Sequence, residues 1–200
     1  MSLFKSIIES VFPERPDYRI VQGLSLDDLL LHFNPTEVDG IIHFLPFSAP
    51  AVRATLHEAK FHHNEKAWQL LGNVLAVYLK HYPSETILLP IPLSRHRQKH
   101  RKYNQVTEIA KKALADSSHI KLSKKILVRL RDTKPQTTLK QKERQLNVEG
   151  AFGALDVSTL SAKNLIILDD VTTTGATLKA AKAALNSANS ASITLISLAH

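Results

Sequence analysis

The run Leu165-Ile166-Ile167-Leu168 is apolar at every position and passes directly into Asp169-Asp170-Val171-Thr172-Thr173-Thr174-Gly175-Ala176-Thr177. A strand with one wet face alternates apolar and polar residues. A strand without alternation is covered on both faces, the habit of a parallel strand with helices on either side. Helical spacing resumes at Ala176 and extends to about Asn189. The segment therefore reads as buried strand, polar turn, helix.

The remaining chain fits around that unit. Thr86-Ile87-Leu88-Leu89 is a second continuous apolar run, opening into Pro90-Ile91-Pro92. Ile41 to Leu45, Ile126 to Leu130 and Ile193 to Ser197 have strand composition. Helical spacing marks residues 2–12, which Pro13 and Pro16 should close, then Ala49 to Lys60, Glu65 to Tyr82 and Gln105 to Ala115. Ser25 can cap a short helix running to Phe33. Lone Trp68 shares its helical spacing with Leu71 and Leu75 and is expected in the core. Strands alternating with helices predict an α/β fold, a doubly wound and mainly parallel sheet. The polar stretch from Arg131 to Gly153 is long for a connection inside a compact domain and is expected to be a functional loop or lid. We expect residues 1–45 to be an N-terminal extension and residues 46–200 to form the main domain.

The turn after the central strand carries the chemistry. Ligands of open α/β sheets sit at the carboxyl ends of strands. There the turn offers backbone N–H groups, threonine hydroxyls and the positive end of a helix, which together cradle a phosphate. Gly175 lets the backbone approach an anion closely. Two carboxylates beside a phosphate make sense if they face sugar hydroxyls or hold Mg2+, a hard ion that prefers oxygen ligands. Neighbours on a strand point to opposite sides, so Asp169 and Asp170 are not expected to form an acid–base dyad.

Charge supports an anionic ligand. Lys and Arg number 26 against 18 Asp and Glu, a net charge of +8. The cations concentrate in Arg95-His96-Arg97-Gln98-Lys99-His100-Arg101-Lys102 and between Lys121 and Arg144. The absence of cysteine excludes disulfides and thiolate zinc sites. No apolar run approaches the roughly 20 residues of a membrane span, and no secretory leader is evident, so a cytoplasmic protein is expected. P-loop and dinucleotide-binding glycine motifs are missing. His57-Glu58-Ala59-Lys60-Phe61-His62 spaces its histidines too widely for a helical zinc pair.

The string Asp169 to Thr177 resembles the phosphoribosyl pyrophosphate (PRPP) signature of type I phosphoribosyltransferases. Further pieces resemble the ComF family over residues 55–198: Lys60-Phe61, Pro90-Ile91-Pro92-Leu93, Arg101-Lys102-Tyr103-Asn104-Gln105, Arg129-x-Arg131-x-Thr133-x-x-Gln136 and Arg144-x-x-Asn147-Val148-x-Gly150-Ala151-Phe152. The family pattern has glycine where this chain has Lys102, and typical members carry a four-cysteine zinc module that this chain lacks. The resemblance implies a Mg2+-dependent transfer of phosphoribose from PRPP to a nitrogen base. Asp169 and Asp170 would orient the ribose and meet the metal, with Thr173 also in the catalytic loop. Val171, Thr172, Thr174, Gly175, Ala176 and Thr177 would bind the 5′-phosphate, and Arg95, Arg101 and Arg131 the pyrophosphate. Purine-salvage relatives have an aspartate at the position of Thr173, so that acid–base role is not expected here. The family association with DNA uptake implies an alternative: a non-catalytic competence accessory that senses PRPP or binds single-stranded DNA. With aromatic residues at 6%, stacking platforms for bases are few.

Overall fold

Buried parallel strands need helices on both faces, and the computed structural model, which describes residues 15–116, 119–132 and 148–200, has them. The expected helix over residues 2–12 and the larger part of the expected loop or lid, residues 133–147, lie outside the described residues. In chain order the elements are α1 (Pro16–Gly23), α2 (Leu26–Leu30), β1 (Thr36–Val38), β2 (Ile41–Leu45), α3 (Pro50–Phe61), α4 (Glu65–Leu79) and β3 (Thr86–Pro90). Then come α5 (Arg95–Arg101), α6 (Gln105–Ala113), β4 (Ile120–Leu122), β5 (Leu127–Arg129), β6 (Phe152–Ala154), β7 (Asn164–Val171), α7 (Ala176–Ala184) and β8 (Ser192–Ala199).

Six strands form one sheet in the order β1-β2-β8-β7-β3-β4. β1 runs antiparallel to β2, and every other neighbour pair is parallel. The expected doubly wound, mainly parallel sheet is borne out. Alternation along β7 splits the core in two. Ile166 and Leu168 join Phe44, Leu88, Ile196 and Leu198 beneath α3, α4 and α6, with Trp68 and Ile109 among the covering residues. Leu165 and Ile167 join Ile41, Ile87, Leu89 and Leu195 beneath α7, with Leu127 and Phe152 completing that layer. Each such buried aliphatic side chain contributes roughly 1.5 to 3 kcal/mol. Trp68 is in the core as expected, its indole N–H donating to the Ala59 carbonyl at 2.9 Å. Gly72 lets α4 lie against α6, since a Cβ there would stand 2.5 Å from the Lys112 Cβ.

Several expectations change. Pro16 opens α1, where its missing N–H costs nothing. Ser25 forms the expected cap, a capping box with Asp28, although the α-helix stops at Leu30. The basic run after Ser94 is a helix, α5, capped by the Ser94 hydroxyl on the Arg97 N–H. It buries no residue, so it had no apolar period to betray it. The strand near residues 126–130 forms as β5 but pairs with β6 outside the main sheet, whose edge is Ile120–Leu122 instead.

Residues on both sides of position 45 build the sheet, since β1 and β2 join it through β8. An ion pair between buried Glu58 and half-exposed Arg15 also ties the start of α1 to α3. Arg15 donates from Nε and Nη2 to the two carboxylate oxygens of Glu58, each at 3.0 Å, and Asn64 Nδ2 donates to Glu58 Oε2 at 2.9 Å. Burial pushes the Glu58 carboxyl up, but the Arg15 and Asn64 donors outweigh it and hold the carboxyl below its ordinary value.

The turn from α5 to α6 keeps a left-handed residue without glycine: Lys102 has φ 64 and ψ −6. That conformation costs a side-chain-bearing residue about 1 kcal/mol.

Two outcomes follow for stability. A carboxyl depressed by folding contributes stability above its unfolded pKa and loses it as pH falls through the lower folded value. Arg15→Ala should therefore cost about 2 kcal/mol at pH 7, and the deficit should shrink below about pH 4.5 as Glu58 protonates in both proteins. Denaturant melts at pH 7 and pH 3.5 measure it. Lys102→Gly should raise stability by about 0.5 to 1 kcal/mol in the same assay.

Candidate functional site

The carboxyl end of β7 delivers both acids, and their surroundings separate them. Asp170 points into the face covered by α3 and α6 and keeps 5% of its surface. Its Oδ2 accepts from Gln105 Nε2 at 2.8 Å and faces the Lys60 ammonium at 3.4 Å. Its Oδ1 accepts the Val171 N–H at 2.8 Å. Arg101 extends the chain, donating to Gln105 Oε1 at 3.1 Å while its guanidinium lies 4.8 Å from the Phe61 ring centre. Burial would raise the Asp170 carboxyl, but Lys60 and the Gln105 and Val171 donors outweigh it, so the group is held ionised below its ordinary value.

Asp169 behaves oppositely. It is half-buried, and its Oδ1 accepts the N–H of Asp170 at 2.9 Å. Desolvation, with the adjacent Asp170 charge, raises its carboxyl well above the ordinary carboxylate range. Arg129, from the β5–β6 ribbon, is the cation on this side. Its guanidinium loses basicity through burial and feels the charges of Arg97, Asp132, Asp169 and Arg131. Asp170 is thus locked into the scaffold by side-chain donors, while the hydrogen bond shown for Asp169 is to a backbone N–H.

The turn after the acids is built tightly. The Thr172 hydroxyl accepts the Gly175 N–H at 2.9 Å, and the Thr172 N–H donates to the Ala199 carbonyl at 3.2 Å. His200 Nδ1 lies 2.9 Å from the Thr172 carbonyl. Thr173 is exposed, Thr174 and Thr177 are half-buried, and Ala176 begins α7. The N-terminal N–H groups of a helix lack intrahelical partners and carry partial positive charge, so the turn and α7 can receive an anion. Gly175 has φ 69, and a Cβ on it would stand 2.2 Å from Ile41 Cδ1 on β2.

The expected arginines divide. Arg101 belongs to the Asp170 network, an arrangement that sequence spacing did not reveal. Arg95 is exposed at the start of α5, where its N–H donates to Asp132 Oδ1 at 2.9 Å. Arg131 donates to the Glu149 carbonyl. Neither contact is with the Thr172–Gly175 turn. Lys60, Gln105 and Arg129 are functional candidates that the sequence supplied only as letters of a family pattern; no role for them followed from local spacing.

The chain is 35% identical over 125 residues to the competence protein ComFC of Bacillus subtilis (strain 168), covering 62% of this chain and 48% of the relative. The ComF resemblance is borne out. The chain spans about half the length of this curated relative. No family model matches. Among solved structures, a hypoxanthine phosphoribosyltransferase from Staphylococcus aureus is similar in two crystal forms, with TM-score 0.40 and 17% and 18% identity. Each alignment covers 68% of this chain and 64% of the other. The ComF piece Arg101-Lys102-Tyr103-Asn104-Gln105 has a clear purpose in the fold. Asn104 ties α6 to the Pro90-Ile91-Pro92 loop, donating to the Ile91 carbonyl at 2.9 Å and accepting the Val106 N–H at 3.0 Å. Gln105 then reaches Asp170.

The contact between the turn and β2 is testable. Gly175→Ala should destabilise the protein by about 2 to 4 kcal/mol, combining left-handed strain with overpacking. Ile41→Val removes the clashing Cδ1, so the double variant should recover at least about 1 kcal/mol relative to additivity, measured by a denaturation double-mutant cycle.

Proposed function

We propose that this chain binds PRPP at the end of β7 and is a phosphoribosyltransferase-like protein, transferring phosphoribose to a nitrogen acceptor. The observation that carries the reading is the division of labour between the two acids. Asp170 is fixed by Gln105 and Lys60, which holds Asp169 beside a turn and helix start suited to phosphate.

In this reading the 5′-phosphate sits against the Thr172–Thr177 turn and the start of α7, while the Thr172 and Gly175 N–H groups hold the turn itself. Asp169 accepts from the ribose hydroxyls, and Arg129, with Arg97 and Arg131 near it, draws the pyrophosphate. In the transfer the C1–O bond to pyrophosphate breaks, the leaving group keeps the electron pair, and the acceptor nitrogen's lone pair closes on C1. Any proton on that nitrogen passes to solvent. Mg2+ would neutralise charge on the pyrophosphate. Of the two acids Asp169 is the better oxygen ligand, because both oxygens of Asp170 already accept from protein donors and Asp169 has committed Oδ1 alone to a backbone donor. Among the described residues no cluster of three or more metal-ligating side chains occurs, so such an ion would take most of its ligands from substrate and water.

A second reading has its own observation. Helix α5 exposes Arg95, Arg97 and Lys99 and buries nothing, a surface suited to the phosphates of single-stranded DNA in a competence accessory. No helix among the described residues is long and apolar enough to cross a membrane.

Isothermal titration with PRPP and Mg2+ tests the first reading. Micromolar binding is expected, with a loss of at least tenfold in Asp169→Asn at unchanged melting temperature. Absence of binding to the wild type would overturn it. A titration with single-stranded DNA at 50 and 200 mM salt separates the second, since contacts to several phosphates weaken by orders of magnitude over that range.

A further inference from the structure

Beside the acids, against α3, lies a cavity of about 300 Å3 whose lining includes neither Asp169 nor the Thr172–Thr177 turn. Phe47, Leu56, Phe61 and Val171 make its apolar wall. Phe47 and Phe61 leave 38% and 53% of their surfaces exposed, although aromatic side chains gain most from being covered. Two residues join this cavity to the candidate site. Val171 follows Asp170 on β7, and Lys60, which lines the cavity, holds the Asp170 carboxylate.

Four titratable side chains, Asp17, Arg53, His57 and Lys60, line the cavity. Asp17 pairs with His57 at 2.8 Å, and Lys60 pairs with Asp170 at 3.4 Å. Arg53 also lines the cavity and has no ion-pair partner among the described residues. A guanidinium presents parallel donors that match a carboxylate in a plane. Arg53 is exposed, and a ring lying on the aromatic wall with an anionic group would let that group take the guanidinium fork in place of water. The volume lies at the small end of ligand pockets, enough for one ring or a fused pair.

We propose that this cavity binds a planar heteroaromatic carboxylate, with the ring against Phe47 and Phe61 and the carboxylate at Arg53. Its role as acceptor of the phosphoribosyl group rests on the PRPP reading; the binding itself does not.

The probes are pyridine-3-carboxylate and pyridine-3-carboxamide, which share a ring and differ in charge. Ligand-observed NMR titrations are run on the protein alone and with ribose 5-phosphate, pyrophosphate and Mg2+. The carboxylate should bind at least tenfold more tightly than the amide. Arg53→Gln should erase that preference, and Phe47→Ala should weaken both probes, with melting temperatures monitored for each variant. Equal affinity for the two probes, or a preference that survives in Arg53→Gln, overturns the proposal. PRPP binding with no carboxylate binding in either condition also overturns it while leaving the phosphosugar reading intact. Carboxylate binding without PRPP binding upholds the ligand class and removes its role as acceptor.

Discussion

A carboxylate with 5% of its surface exposed can stay ionised only if donors surround it, and Asp170 fixes much of this molecule by that demand. Its donors come from three places: Lys60 at the end of α3, Gln105 in the first turn of α6, and the backbone of β7 itself. Those elements are separated by up to 110 residues of chain, the interval from Lys60 to Asp170. Satisfying one anion therefore fixes two helices against the sheet's carboxyl edge. It also sets the direction of the turn that follows, because Val171 and Thr172 leave from a strand whose last residues cannot rotate.

How much of this was legible depends on the range of the interaction. Strand β7, its turn and α7 were readable because the pattern is local: an apolar run, two acids, hydroxyls and a glycine at the helix boundary. The Ser25 cap was readable for the same reason. Helix α5 was missed because its stability comes from a cap and from helix-forming residues, with no buried face to impose a period. Pro16 marks a boundary, and the structure shows a helix on its carboxyl side. The pairing of Gln105 with Asp170 spans 65 residues, and no local rule contains it. Resemblance to a family supplied the letters, and only the fold showed that Lys60, Arg101 and Gln105 converge on one carboxylate.

The cation surplus also reads differently in three dimensions. Arg15, Lys60 and Arg101 are structural partners of acids, a glutamine and a ring. Arg129 lies near Asp169 and Arg97, and Arg53 lines the cavity beside Val171. Charge counted along the sequence overstated the first group and did not register the second.

The left-handed Lys102 has a wider consequence. The corner between α5 and α6 keeps the dihedral angle that glycine ordinarily supplies, and with it the placement of Asn104 and Gln105. What defines this corner is thus a shape that more than one residue can fill at tolerable strain. A pattern written in letters, with glycine required after the arginine, passes over such a chain; a pattern written as a backbone angle would recognise it.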